Sequence, residues 1–105
     1  MTKPLLTYTS ASVAKVLLSD PDAEYYGVQI YKAAGITAGT VYPMLEEWHN
    51  RGWLKYREET PEQARARGSL GPRRRYVKLT KKGLTDLTDY IQRWDAQQGR
   101  YHAAK

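Results

Sequence analysis

Two short amphipathic segments separated by a single glycine turn constrain this chain more than any other feature. The first spans about Glu24 to Ala34, with Tyr26, Ile30 and Ala33 or Ala34 at helical spacing, and Gly35 stands where a helix stops. The second opens at Thr37, a residue suited to the N-cap, and carries Val41, Leu45 and Trp48 at i, i+4 and i+7 as its buried stripe before ending at Asn50-Arg51-Gly52. Helices joined so tightly form a helix-turn-helix, in which the second helix can project its N-terminal half into a groove.

The flanking segments complete the frame. An earlier helix runs from about Ala11 to Ser19, with Val13, Val16 and Leu17 on its apolar face and Thr9 or Ser10 as N-cap, and Asp20-Pro21-Asp22 ends it. After Gly52 the period changes from helical to alternating. Trp53 to Glu58 and Arg75 to Leu79 read as two strands, joined by a polar stretch with Pro61, Gly68, Gly71 and Pro72 that is expected to be a long, mobile hairpin tip. Thr80 then caps a last helix over 81–98, with Leu84, Leu87, Ile91 and Trp94 spaced 3, 4 and 3 apart. That spacing is a heptad seam narrower than the face of a helix buried in its own domain, so these four residues are expected to form a dimer interface; folding back onto the first helix is the alternative. The expected fold is α+β and mostly α: a winged helix-turn-helix of three helices, a two-stranded wing and a C-terminal dimerisation helix, as one domain over 1–105.

Charge narrows the partner. The chain has 105 residues and a formal net charge of +6. Between Lys55 and Lys82 stand ten bases and three acids, whereas the other 77 residues hold seven bases and eight acids. A solvated face would mix signs, so confining the whole excess to one quarter of the chain points to a polyanion. No apolar run approaches the ~20 residues of a bilayer span, which makes a soluble, cytoplasmic protein the expectation, without membrane contact. The absence of cysteine removes disulfides, thiolate metal sites and cysteine nucleophiles. His49 and His102 lack any ligand or nucleophile pattern, and Glu46 and Glu47 point in different directions on their helix, so neither catalysis, a metal nor a cofactor is expected.

Several words in the chain carry a family resemblance. Tyr25-Tyr26-Gly27-Val28-Gln29-Ile30, Gly35-Ile36-Thr37-Ala38-Gly39-Thr40-Val41-Tyr42-Pro43-Met44-Leu45, Gly52-Trp53-Leu54 and Pro72-Arg73-Arg74-Arg75-Tyr76-Val77-Lys78-Leu79-Thr80-Lys81-Lys82-Gly83 together resemble the PadR family of transcriptional regulators, over roughly Val13 to Leu87. The resemblance implies a homodimeric, non-enzymatic repressor that binds double-stranded DNA, of the short subgroup with one helix after the wing. By fold-level analogy the family also admits a small aromatic effector, for which Tyr90 and Trp94 are the candidate lining, although with one helix after the wing plain packing of these residues is the favoured expectation. Two departures stand out. Val28 replaces the tyrosine usual in the family, with Tyr25 or Tyr26 as substitutes, and the segment from Glu58 to Pro72 is longer than the usual wing tip.

The candidate DNA-binding residues are Tyr26, Thr37, Ala38, Gly39, Thr40, Tyr42, Arg73, Arg74 and Arg75. Small and hydroxylated residues at the start of the second HTH helix let its free amides approach a phosphate. Tyr42 lies opposite the buried stripe, where its hydroxyl reaches backbone or a base edge. Pro43 should bend the helix locally. At strand spacing Arg73 and Arg75 share a face while Arg74 points away. Arg65 and Arg67 would add phosphate contacts from the loop. The expected function is a sequence-specific DNA-binding repressor. The competing readings are a protein-interaction module that uses the same surface without DNA specificity, and RNA binding through the basic hairpin.

Overall fold

The computed structural model describes residues 7–68 and 74–103, with side chains up to Gln97. Eight elements follow in order: α1 (Tyr8–Ser19), β1 (Tyr25–Tyr26), α2 (Gly27–Ala34), α3 (Ala38–Asn50), β2 (Leu54–Glu58), α4 (Pro61–Ala66), β3 (Arg75–Leu79) and α5 (Lys81–Ala103). α1 starts earlier than its apolar periodicity suggests because Thr7, not Thr9 or Ser10, closes it. The Thr7 hydroxyl accepts from the Ser10 amide at 3.2 Å, and the Ser10 hydroxyl accepts from the Thr7 amide at 2.8 Å, a reciprocal capping box.

The sheet has three strands where two were expected, in the order β1-β3-β2 and antiparallel throughout. Tyr25 and Tyr26, read from sequence as the start of a helix, pair instead with Val77 and Tyr76, so α2 begins at Gly27. The free edge of β3 supplies the reason: two aromatic residues gain a strand partner there that no local pattern reveals. The expected mobile wing tip contains α4, which Pro61 opens and a Thr60–Gln63 capping box closes at its start. α3 runs through Pro43 with its helical course unbroken. α5 extends past Gln98 to Ala103.

The core is continuous beneath these elements. Val13, Ala14 and Leu17 of α1, Ile30 of α2, Val41, Leu45 and Trp48 of α3, Leu54 of β2, Val77 and Leu79 of β3 and Leu87 and Tyr90 of α5 form one buried cluster with Trp53. All three residues of the predicted α3 stripe are therefore buried. Leu87 corrects the predicted seam: it is fully buried within its own chain and unavailable to a partner. Leu84 is exposed, and Ile91 packs at the margin of the core. The heptad of α5 thus divides between packing on α1 and facing outward, because a stripe spaced 3, 4 and 3 serves either purpose.

Trp53 joins three elements. Its N–H donates to the Trp48 carbonyl at 2.9 Å, its carbonyl accepts from Thr80 N–H at 3.0 Å, and its indole Nε1 donates to Asp86 at 2.9 Å. The Thr80 hydroxyl donates to the Gly52 carbonyl and accepts from Gly83 N–H, which caps α5 against the end of α3. Gly83 lies directly on the Trp53 backbone: a methyl group there would come within 2.9 Å of the Trp53 Cα and closer still to its carbonyl oxygen. Backbone cannot yield as a side chain does. Gly83→Ala is accordingly expected to destabilise the protein by about 1–3 kcal/mol, as overpacking does, measurable as a lower urea midpoint and a fall in melting temperature of several degrees.

Candidate nucleic-acid interface

The start of α3 stands open. Thr37 occupies the N-cap position, yet its side chain makes no capping bond and its hydroxyl lies 3.2 Å from that of Thr40 instead. The Thr40 and Val41 amides donate to the Thr37 carbonyl, and the Ala38 and Gly39 amides have no acceptor among the described residues. Thr37, Gly39 and Thr40 are exposed and Ala38 is half-buried. Gly39 has no internal reason to be glycine, since a methyl group built on it would meet nothing within 4 Å. Glycine inside a helix costs roughly 1 kcal/mol relative to alanine, and no contact among the described residues requires it here.

Gly27 is small for the opposite reason. The Tyr42 ring lies on it, with the phenol oxygen 2.6 Å from where a Cβ would sit, and Tyr31 meets Tyr42 edge-on at 6.3 Å. Tyr42 remains half-exposed, held upright between α2 and the wing. Two open clefts flank it. One, of about 370 Å³, lies between α3 and the wing and is lined by Tyr42, Glu46, Tyr56, Glu58 and Arg75. The other, of about 490 Å³, is lined by Tyr26, Val28, Lys32, Tyr42, Arg74 and Arg75.

Both wing arginines rest on aromatic rings. Arg74 lies 4.1 Å above the Tyr26 ring and Arg75 lies 4.8 Å above that of Tyr56. β-Strand alternation sends them to different rings on different faces, yet both arginines line the cleft beside Tyr42. Tyr56 is fixed in turn: its ring stacks on His49 at 4.0 Å, and its hydroxyl donates to Glu46 at 3.3 Å. Burial, with the Glu46 charge beside it, pushes the Tyr56 phenol above its ordinary pKa. Arg73 lies outside the described residues. Among the described residues, Arg74 and Arg75 form no ion pair with a carboxylate.

Much of the remaining wing charge is neutralised within the chain. Arg57 grips Glu24 through two bonds of 2.6 and 2.9 Å. Arg67 is drawn onto Glu59 rather than reaching outward, which corrects the expectation that it extends toward phosphate, whereas Arg65 pairs with Glu62 at 3.5 Å and stays exposed. Lys32, which sequence reasoning missed, shares the cleft of Arg74 and Arg75. Its signal was its place in the last turn of α2, one helix away from the basic stretch. Tyr90 is buried against Trp53 with ring centres 5.8 Å apart, so it does not join Trp94 in presenting two rings to a ligand. Among the described residues, no helix is long and apolar enough to cross a membrane and no group of His, Asp and Glu could hold a metal ion.

The arrangement is a winged helix: a helix-turn-helix of α2 and α3, a small antiparallel wing and a terminal helix. No protein-family model matches the chain, and neither does any curated protein. Solved structures do. A PadR family transcriptional regulator from Eggerthella lenta DSM 2243 aligns at a TM-score of 0.67 and 20% identity, over 89% of this chain and 80% of that one. A PadR family transcription regulator from Clostridium difficile R20291 aligns at 0.65 and 22%, over 87% and 95%. A PadR-like transcriptional regulator from Bacillus cereus strain ATCC 14579 aligns at 0.63 and 21%, over 90% and 87%. Alignments of this extent show a common fold, the winged helix, at identities of 20–22%.

The Glu24–Arg57 pair ties β2 to the segment before β1. The hydrogen bond from Arg57 holds the Glu24 carboxyl below its ordinary pKa. Its contribution is therefore complete above the unfolded-state value and is lost as pH falls through the lower folded-state value. Glu24→Gln should consequently lose less stability than the parent chain between about pH 6 and about pH 3. Urea denaturation at stepped pH checks this, and parallel curves for the two proteins would contradict it.

Proposed function

We propose that the protein is a sequence-specific, double-stranded-DNA-binding transcriptional regulator that acts in the cytoplasm as a homodimeric repressor, by binding and not by catalysis. The observation that carries this reading is the uncapped, glycine-bearing start of α3, on the helix whose Tyr42 shares a cleft with Arg74 and Arg75, two wing arginines without a carboxylate partner among the described residues. The open amides and the Thr37 and Thr40 hydroxyls suit phosphate oxygens, and the exposed Tyr42 suits a base edge or the backbone beside it. Arg74 and Arg75 suit the wing's approach to an adjacent groove, where a narrow minor groove concentrates negative potential. Lys55 and Lys78 are direct cross-strand partners, like charges placed opposite one another, and a polyanion nearby relieves that repulsion. The first turns of α3 bear no Arg, Lys, Asn or Gln, so the reading places specificity in apolar contacts, bridging water and DNA shape.

Selection of a preferred duplex from random sequence, followed by anisotropy titration of that duplex against a scrambled one, tests the reading. Arg75→Ala is expected to weaken both and to lower the log–log salt slope by about one. Gly39→Ala separates folding from function: it should raise stability by roughly 0.5–1 kcal/mol while weakening the preferred duplex. Equal affinity for preferred and scrambled DNA would leave the protein-interaction reading in its place.

The dimer is proposed through the outward part of α5, where Leu84 is exposed and Ile91 and Trp94 are half-buried. Sedimentation equilibrium should give twice the chain mass, and Leu84→Asn with Trp94→Asn should halve it while the far-ultraviolet spectrum stays unchanged. A parent chain that sediments as a monomer at the concentrations where it binds DNA would refute the homodimer.

A further inference from the structure

The most basic stretch of the chain contains one carboxylate that no solvent reaches. Glu59, immediately after β2, is 1% exposed and is the one buried charged side chain among the described residues. Both its oxygens accept from Arg67 Nε, at 2.8 and 3.0 Å, and Oε1 also accepts from Arg67 Nη2 at 2.7 Å. The hydrogen bond from Arg67 holds the Glu59 carboxyl below its ordinary pKa, so the clasp stays charged at neutral pH.

Its second attachment gives the clasp a purpose. The Glu59 N–H donates to the Arg74 carbonyl at 2.7 Å, and the Arg74 N–H reaches back to Glu59 Oε1 at 3.4 Å. One residue thus holds the Arg74 backbone from both sides, one step beyond the last registered pair of the ladder, Glu58 with Arg75. The two side chains fixed by that backbone are those lying on Tyr26 and Tyr56. α4 and its capping box carry Arg67 back to Glu59 across the tip. A negative charge placed this close to a phosphate-binding wing opposes the wing's own electrostatics, and a buried ion pair is a poor source of stability. What remains for it to supply is geometry.

We infer that Glu59, clasped by Arg67, is a positioning residue for DNA binding: it locks the end of the wing so that Arg74 and Arg75 meet the duplex already in place. This rests on the proposed DNA-binding function and adds to it an acidic residue on which a basic surface depends. Preorganisation of this kind raises affinity by removing the ordering cost from the binding step.

The sign of the effect provides the test. Anisotropy titrations with the preferred duplex compare the parent chain with Glu59→Gln, Arg67→Gln, the double variant and Arg67→Lys, with Arg75→Ala as control. If Glu59 acts only through charge, Glu59→Gln tightens binding, Arg67→Gln weakens it, the two cancel when combined, and Arg67→Lys changes nothing. If the clasp positions the wing, Glu59→Gln weakens binding roughly three- to tenfold although net charge rises by one. Arg67→Gln and Arg67→Lys then weaken it similarly, and the double variant is no worse than the weaker single variant. Hydrogen exchange at the Arg74 amide should accelerate in each variant with the core still protected, and the Arg67→Lys arm stands should Glu59→Gln fail to fold. Affinity for Glu59→Gln equal to or above that of the parent chain overturns the inference. A parent chain with no duplex preference and no response to Arg75→Ala overturns the underlying function, and the inference falls with it.

Discussion

The position of the wing relative to α3 depends on Trp53. A surface made of a helix start and a hairpin can match a duplex only if their separation is fixed, and the two are joined in sequence by three residues around Gly52. Trp53 fixes the joint by holding the end of α3 through its N–H, the start of α5 through its carbonyl and its indole N–H, and the core through contacts with Trp48 and Tyr90. Gly52, with φ of +80°, turns the chain into that position. The close seat of Gly83 on the Trp53 backbone follows, since α5 could not begin there with any larger residue. α5 therefore serves first as the wall against which the wing is set. Only its outward and distal part remains for another role.

The basic excess of the sequence overstates the charge available to a partner. Of the ten bases between Lys55 and Lys82, Arg57, Arg65 and Arg67 are paired with Glu24, Glu62 and Glu59. These pairs differ in kind. Arg65 with Glu62 is an exposed neighbour pair of one short helix and contributes little. Arg57 with Glu24 and Arg67 with Glu59 join segments further apart in sequence, and both act at the tip end of β2. The ion pairs divide the basic stretch into bases that build the wing and bases left facing outward, Arg74 and Arg75 among them.

Much of this was legible because it was local. The α3 stripe, the Gly35 stop, the two long strands and the Thr80 cap each depend on residues a few positions apart, and each lies where the spacing put it. β1 was not legible. Two tyrosines ahead of a helix carry no period, and their strand exists only because β3, some fifty residues later, offers an edge. α4 is too short for a hydrophobic period and buries no side chain, so Pro61 and Gly68 read as loop. Leu87 was misread because a core stripe and a dimer seam share one spacing, and the choice between them depends on where α1 packs. At the site, the exposed residues of α3 follow from helical geometry, whereas Lys32, Glu46 and Tyr56 join the wing only through tertiary contact.

The aromatic residues explain how so small a sheet holds its shape. β1 has two residues and β2 and β3 five each, a sheet too small to be rigid by its ladder alone. Tyr26 meets Tyr76 edge-on at 6.0 Å across the β1–β3 pair, Arg57 lies 4.7 Å above Tyr76, and Arg74 covers Tyr26, which gives one face of the sheet a layer of alternating rings and cations. On the other face His49, Tyr56 and Arg75 repeat the pattern and tie it to α3. Cation–π contacts at half-exposed sites contribute about 0.5–1 kcal/mol each, enough in number to bias rotamers without fixing them against a stronger ligand. A guanidinium resting on a ring keeps its N–H edges free while its face is covered, so the contacts that order Arg74 and Arg75 leave unspent the hydrogen-bonding capacity a phosphate or a base edge would use.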